Sequence, residues 1–189
     1  MLIKRYIEES IKLKANIAAD DELLSKIEQI ASVAIRAFKN GNKLLSAGNG
    51  GSAADAQHFA AELVSKFNIV RAGLPAIALT TDSSILTAIS NDLGYENIFA
   101  KQVEALGNSG DILFLISTSG ASSNIVQAAK KAIEQDLIVV SLVGEDGSKL
   151  EKYSDYLITV PARETSLIQE AHIMIEHIIC SLIEEQMFK

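Results

Sequence analysis

The chain has 189 residues, enough for one well-cored domain and too few for two. Apolar types make up 48% and charged types 22%, which excludes a disordered segment. With 24 acidic against 17 basic residues the formal net charge is −7, and no basic run exceeds a pair such as Lys130–Lys131, which argues against nucleic acid as a partner.

A single cysteine, Cys180, excludes an internal disulfide framework and a CxxC metal site. The N-terminal string MLIKRYIEES is charged and lacks the apolar centre of a signal peptide. No run approaches the ~20 apolar residues of a membrane span. These features predict a cytoplasmic protein without a membrane partner.

The first forty residues read as two helices. Leu2, Ile3, Ile7, Ile11 and Ile17 share roughly one face of the first. Asp20–Asp21 then offers an N-cap, and Leu23, Leu24, Ile27, Ile30, Ala31, Val33, Ala34 and Phe38 form the stripe of a second helix, ended by Gly41. From Lys43 onward short apolar runs alternate with helical stretches. The runs are Lys43–Ala47, Ala76–Thr80, Ile112–Ser117, Ile138–Val143 and Tyr156–Val160. They lack the polar–apolar alternation of a one-sided sheet, so each is expected to be a strand covered by helices on both faces. A helix from about Thr165 to Glu185, with Leu167, Ile168, Ala171, Ile175, Ile178, Ile179 and Leu182, closes the chain. Its broad apolar surface suits packing against other helices, those of a second subunit included. The expected fold is α/β: a doubly wound, five-stranded parallel sheet within one domain over 1–189, comprising an N-terminal helical pair (1–40) and an α/β core (41–189).

In such a sheet ligands bind at the carboxyl ends of the strands. Two loops there carry unusual chemistry. Gly48-Asn49-Gly50-Gly51-Ser52 joins the first strand to a helix; glycines admit a ligand close to the backbone, and the helix start offers unpaired N–H groups. The same string would also serve as a plain tight turn. It fits a degenerate GxGxxA dinucleotide pattern too, but no acidic residue ends the second strand at the distance that pattern needs. The second loop, Ser117-Thr118-Ser119-Gly120-Ala121-Ser122-Ser123-Asn124, gathers hydroxyls at a helix start without a cation. Capping that helix needs one hydroxyl; the excess suits a phosphate monoester. The absence of a GK[ST] string argues against a nucleotide P-loop.

The histidines are His58, His172 and His177. His58 and Glu62, four apart, share a helix face, the spacing at which one helix offers nitrogen and oxygen to a metal such as zinc; a surface ion pair has the same spacing. The last helix adds Gln169, Glu170, His172, Glu176 and His177. Gln169 and His177 stand eight apart, ~12 Å along a helix axis. Reaching one ion therefore requires a break in the helix near Gln169 or two different protomers. His172 lies about 60° around the helix from Gln169 and is expected beside the site or in a structural role, not as a ligand.

The strings SAGNGGSAADAQHFAAEL, ALTTDSSILTAISNDLGYENIF, ISTSGASSNI and IQEAHIMIEH together resemble the sugar-isomerase (SIS) domain family over essentially the whole chain. Within it they are most similar to the isomerases that convert sedoheptulose 7-phosphate into D-glycero-D-manno-heptose 7-phosphate for lipopolysaccharide. The resemblance implies a homotetramer with active sites between subunits. It places substrate at Asn49, Gly50, Gly51 and Ser52, at Asn91 and Asp92, and at Ser117, Thr118, Ser119 and Ser122, with Glu62 and Gln169 also reaching it. It puts one zinc ion on His58, Glu62, Gln169 and His177, and matches Asp55 to a residue needed for activity.

Aldose–ketose isomerisation moves a proton between C1 and C2 through an enediol. Glu62 is the expected base at carbon, His177 the acid/base at oxygen, and zinc the stabiliser of enediolate charge. The alternative is a non-catalytic protein-binding module of the replication-initiator-associating type, which resembles this chain in the AADAQHFAA and ALTTD strings but lacks counterparts of Glu62 and His177. Arabinose 5-phosphate isomerases usually carry a further paired domain, for which this chain has no room.

Overall fold

The computed structural model describes residues 1–189, the side chain of Ser148 excepted. It opens with α1 (Leu2–Ala18) and α2 (Asp21–Lys39). The Asp20 carboxylate caps α2 by accepting from the Leu23 N–H at 3.0 Å. There follow β1 (Leu44–Gly48), α3 (Gly51–Val64), β2 (Ala76–Ala78), α4 (Ser83–Leu93) and α5 (Ala100–Leu106). The chain ends with β3 (Ile112–Ser117), α6 (Ser123–Glu134), β4 (Ile138–Val143), β5 (Tyr156–Thr159) and α7 (Thr165–Phe188).

All five strands are parallel, in the order β2-β1-β3-β4-β5. Side chains alternate across the sheet, which splits the apolar runs between two cores. Ile112, Phe114 and Ile116 of β3 face α2, α3 and α7; Leu113 and Leu115 face α5 and α6. Both faces are dry, hence the uninterrupted apolar runs. β3 and β4 match the expected runs end for end; β2 stops earlier than Thr80, where the Thr81 hydroxyl donates to the Ala78 carbonyl and the chain turns.

This order makes β1 and β3 neighbours whose following connections run to opposite sides. Gly48 pairs with Ile116, so the glycine loop after β1 and the hydroxyl loop after β3 lie together at the switch point. The Ser46 hydroxyl donates to the Ala56 carbonyl at 2.9 Å inside the core and fixes α3 against β1.

Two expectations need correction. The apolar face assigned to α1 is divided: Leu13 and Ile17 are buried with Ser10, whereas Leu2, Ile3, Ile7 and Ile11 stand more than half exposed. The helix is anchored by its C-terminal half, and its first turns present an uncovered apolar strip. Second, α7 begins where expected but runs on to Phe188, three residues past the expected end. At 24 residues it has the length and hydropathy of a membrane span. It packs instead on α2 and α3, with His172, Glu176 and Glu184 buried along it. It also runs through Gln169 without a break, which removes the interrupted-helix explanation for Gln169 and His177.

Candidate active site

The glycine loop is shaped by what surrounds it. A β-carbon added at Gly48 would overlap the Ser52 backbone carbonyl, and Gly50 sits at φ +58°. A β-carbon on Gly51 would lie 2.5 Å from Gln169 Nε2, so Gln169 of α7 rests directly over the loop. Opposite, the Ser117 hydroxyl accepts from the Gly120 N–H at 3.1 Å and the Ser119 hydroxyl from the Ala121 N–H at 3.2 Å. These contacts leave each hydroxyl proton available. Ser122 occupies the cap position of α6 without using its side chain there, so capping does not account for it. A cavity of about 270 Å³ lies between the loops, lined by Asn49, Gly50, Gly51, Ser52, Ser117, Thr118, Ser119, Ser122, Thr165 and Gln169.

A second cluster lies farther along α3 and α7. Glu62 Oε1 is 3.0 Å from His58 Nε2 and 3.3 Å from His177 Nε2. One donor atom from each residue falls within 4.8 Å of the others. The His58 and His177 rings meet edge-on at 5.2 Å, and Phe67 stacks on His177 at 5.4 Å. Phe67 is held by a buried anchor that sequence reasoning missed. The Glu184 carboxylate accepts from the N–H groups of Phe67, Asn68 and Ile69, and pairs with Arg71 at 3.0 Å. Arg71 in turn donates to the carbonyls of Glu62 and Leu63 at the end of α3. Burial works to raise the Glu184 pKa, but the three N–H donors and the guanidinium together hold it below the ordinary carboxylate value.

Between α3 and α7 several buried polar atoms find no hydrogen-bond partner among the described residues: Asp55 Oδ2, Glu62 Oε2, both nitrogens of His172 and both oxygens of Glu176. Desolvation raises the Asp55 pKa, opposed by His58. It raises that of Glu176 well above the usual range, reinforced by the charges of Asp55 and Glu62. Burial pushes His172 down to about 4; the Val143 backbone compensates in part, short of a full hydrogen bond. His172 therefore sits neutral in the core, off the cluster, as its helical position implied. Cys180 is sealed in the same layer, and burial followed by the Glu62 charge pushes its thiol pKa up.

These two groups of residues are distinct places in one chain. Ten residues of α3 separate Ser52 from Glu62, a rise of ~15 Å, and α7 carries Gln169 and His177 ~12 Å apart. Gln169 thus belongs to the loop cavity, and His58, Glu62 and His177 to the second cluster. Asn91 and Asp92, at the exposed end of α4, hydrogen-bond each other at 2.7 Å and do not line the cavity. His177 also faces a groove of about 590 Å³ bounded by Lys14, Phe67, Ile173, Met174 and Ile178.

Comparison with known proteins gives a consistent set of relatives. The SIS-domain profile matches residues 5–144. The chain is 56% identical over 187 residues to a phosphoheptose isomerase of Aneurinibacillus thermoaerophilus, covering 99% of this chain and 94% of the relative. Its fold is similar to that of a phosphoheptose isomerase from Neisseria gonorrhoeae, with a TM-score of 0.90 at 44% identity over 97% of each chain. It is likewise similar to one from Francisella tularensis, with a TM-score of 0.92 at 41% identity, covering 97% of this chain and 96% of the other.

Proposed function

The chain belongs to the SIS-domain family, and on that premise we propose that it is an aldose–ketose isomerase converting sedoheptulose 7-phosphate into D-glycero-D-manno-heptose 7-phosphate, the step that supplies heptose for lipopolysaccharide. The observation that carries this reading is the contact of Glu62 with His177. A scaffold for protein binding has no use for a carboxylate and two imidazoles converging on one point, and the protein-binding alternative is not favoured.

In this reading the Ser117–Ser122 loop and the first N–H groups of α6 hold the phosphate, while the glycine loop and Gln169 face the sugar chain. Glu62 takes the proton from one of C1 and C2 and returns it to the other, and His177 moves protons at O1 and O2. Asp55, half-buried and short of a partner, lies close enough to His58 for their charges to interact. Two imidazole nitrogens and a carboxylate oxygen within 4.8 Å form a donor set that suits zinc. Zinc held by His58, Glu62 and His177 would polarise the sugar oxygens and offset enediolate charge. A fourth ligand, Gln169, would have to come from a second copy of the chain.

The ~15 Å between the glycine loop and Glu62 is too far for one chain to hold the sugar and deprotonate it. We read the active site as shared between copies in a homotetramer. The exposed Leu2–Ile11 strip and the groove beside His177 support that assembly. Residues 1–40 and 41–189 act as a single SIS domain in this view, since α2 shares its core with α7. The phosphorylated substrate implies a cytoplasmic setting.

The test is to incubate the zinc-loaded protein with sedoheptulose 7-phosphate and follow the aldose by NMR. Conversion that chelation abolishes and zinc restores is expected. No conversion by zinc-loaded protein overturns the reading.

A further inference from the structure

Asn124 lies behind the loop cavity, not on its wall, and is 1% exposed. Its side-chain amide makes three hydrogen bonds. Asn124 Nδ2 donates to Asn49 Oδ1 at 2.8 Å, and Asn49 Nδ2 donates back to Asn124 Oδ1 at 2.9 Å. Asn124 Oδ1 also accepts from the Ile125 backbone N–H at 2.9 Å, which fixes the amide plane against the first turn of α6. On the other side, Asn49 Oδ1 accepts from the Tyr95 hydroxyl at 3.0 Å. Tyr95 follows the segment carrying Asn91 and Asp92. Three stretches of chain that the sequence places far apart are thereby tied at one amide pair.

We propose that Asn124 is a positioning residue: its reciprocal amide pair with Asn49, completed by the Tyr95 hydroxyl, sets the spacing between the loop that faces the sugar and the loop that holds the phosphate. The proposal rests on the isomerase reading above. It commits both lone-pair sites of the Asn49 side-chain oxygen and one N–H of its amide to the protein, leaving the second N–H outside the pair. A substrate anchored at both ends is sensitive to this spacing. A ligand that touches only the hydroxyl loop is not.

The experiment compares Asn124→Ala, Asn49→Ala, the double variant and Tyr95→Phe with the wild type, each as the zinc-loaded full chain. Tyr95 is largely exposed, so Tyr95→Phe keeps the fold even if a buried substitution does not. Two readouts are taken. Hydrogen exchange of the backbone amides of Asn49–Ser52 reads the tie itself. Steady-state kinetics with sedoheptulose 7-phosphate, with inorganic phosphate as a competing probe, reads its consequence. Expected are faster exchange in the glycine loop, a KM raised about tenfold for Asn124→Ala and about threefold for Tyr95→Phe, and a phosphate inhibition constant within twofold of wild type. The double variant should be no worse than the worse single one, because both act through one pair. Unchanged exchange, additive losses, or a phosphate constant rising in step with KM would overturn the proposal. A wild-type chain that turns over no heptose phosphate, while Asn124→Ala still loosens the glycine loop, would sink the isomerase reading and support the tie between the loops.

Discussion

Glu62 and His177, carried by different helices, meet at 3.3 Å between Oε1 and Nε2, with His58 closing the group from 3.0 Å. Removing the charge of Glu62 while keeping its shape separates its role in chemistry from its role in packing. Glu62→Gln is expected to lower kcat by roughly 100-fold or more, the scale of general acid–base catalysis, while calorimetric binding of the sugar phosphate changes little. Substantial residual turnover would show that another group moves the carbon-bound proton.

A site divided between copies can be repaired by mixing. Glu62→Gln damages only the metal-side cluster, and Ser119→Ala only the hydroxyl loop. Each variant alone should be nearly inactive. Mixed in equal amounts under mild denaturant and returned to buffer, they should recover roughly a quarter of wild-type activity, since one site in four then combines two intact halves. A mixture as inactive as its components would mean that each chain builds its own complete site.

Neighbouring glycines should respond in opposite ways. At Gly51 an added methyl meets the mobile tip of Gln169, which can swing aside; at Gly48 it meets the fixed Ser52 backbone. Gly51→Ala should retain its melting temperature within a few degrees but show a KM raised about tenfold, Gln169 having left the cavity. Gly48→Ala should lose about 2 kcal/mol or more of stability, as overpacking against backbone does. Urea titrations alongside kinetics check both.

His172 gives a signed pH effect. Its folded pKa, about 4, lies below the ordinary 6.5, so the unfolded chain takes up the proton first. Its contribution is complete above pH 6.5 and is lost as pH falls toward 4, about 3 kcal/mol across the window. His172→Leu removes this slope without opening a polar hole. Urea midpoints at several pH values should fall less steeply toward acid in the variant than in the wild type. Glu176 acts in the opposite sense in both proteins.

Much of the fold was legible because its strongest signals are local. β3 and β4 were readable to the residue, since strands with helices on both faces leave continuous apolar runs. The Asp20 cap and the His58–Glu62 pair are short-range patterns of the same kind. The outward turn of Ile3, Ile7 and Ile11 was not legible, because periodicity marks an apolar face without saying what covers it. The anchor of Arg71 and Glu184 and the pairing of Asn49 with Asn124 join distant segments through ordinary polar residues. Each looks like loop or surface until the chain is folded. Asn124 closed the hydroxyl string in plain view, and Tyr95 directly followed NDLG, but only their geometry distinguishes them from their neighbours.

Cys180, the chain's single thiol, lies 1% exposed in the layer between α3 and α7, close under Glu62. An alkylating reagent reaches it only in moments when that layer opens, so its labelling rate under native conditions is a clock for the breathing of the two helices. Whatever draws Glu62, His58 and His177 together should slow that clock. The molecule thus carries a built-in reporter of occupancy that needs no substrate and no added probe site.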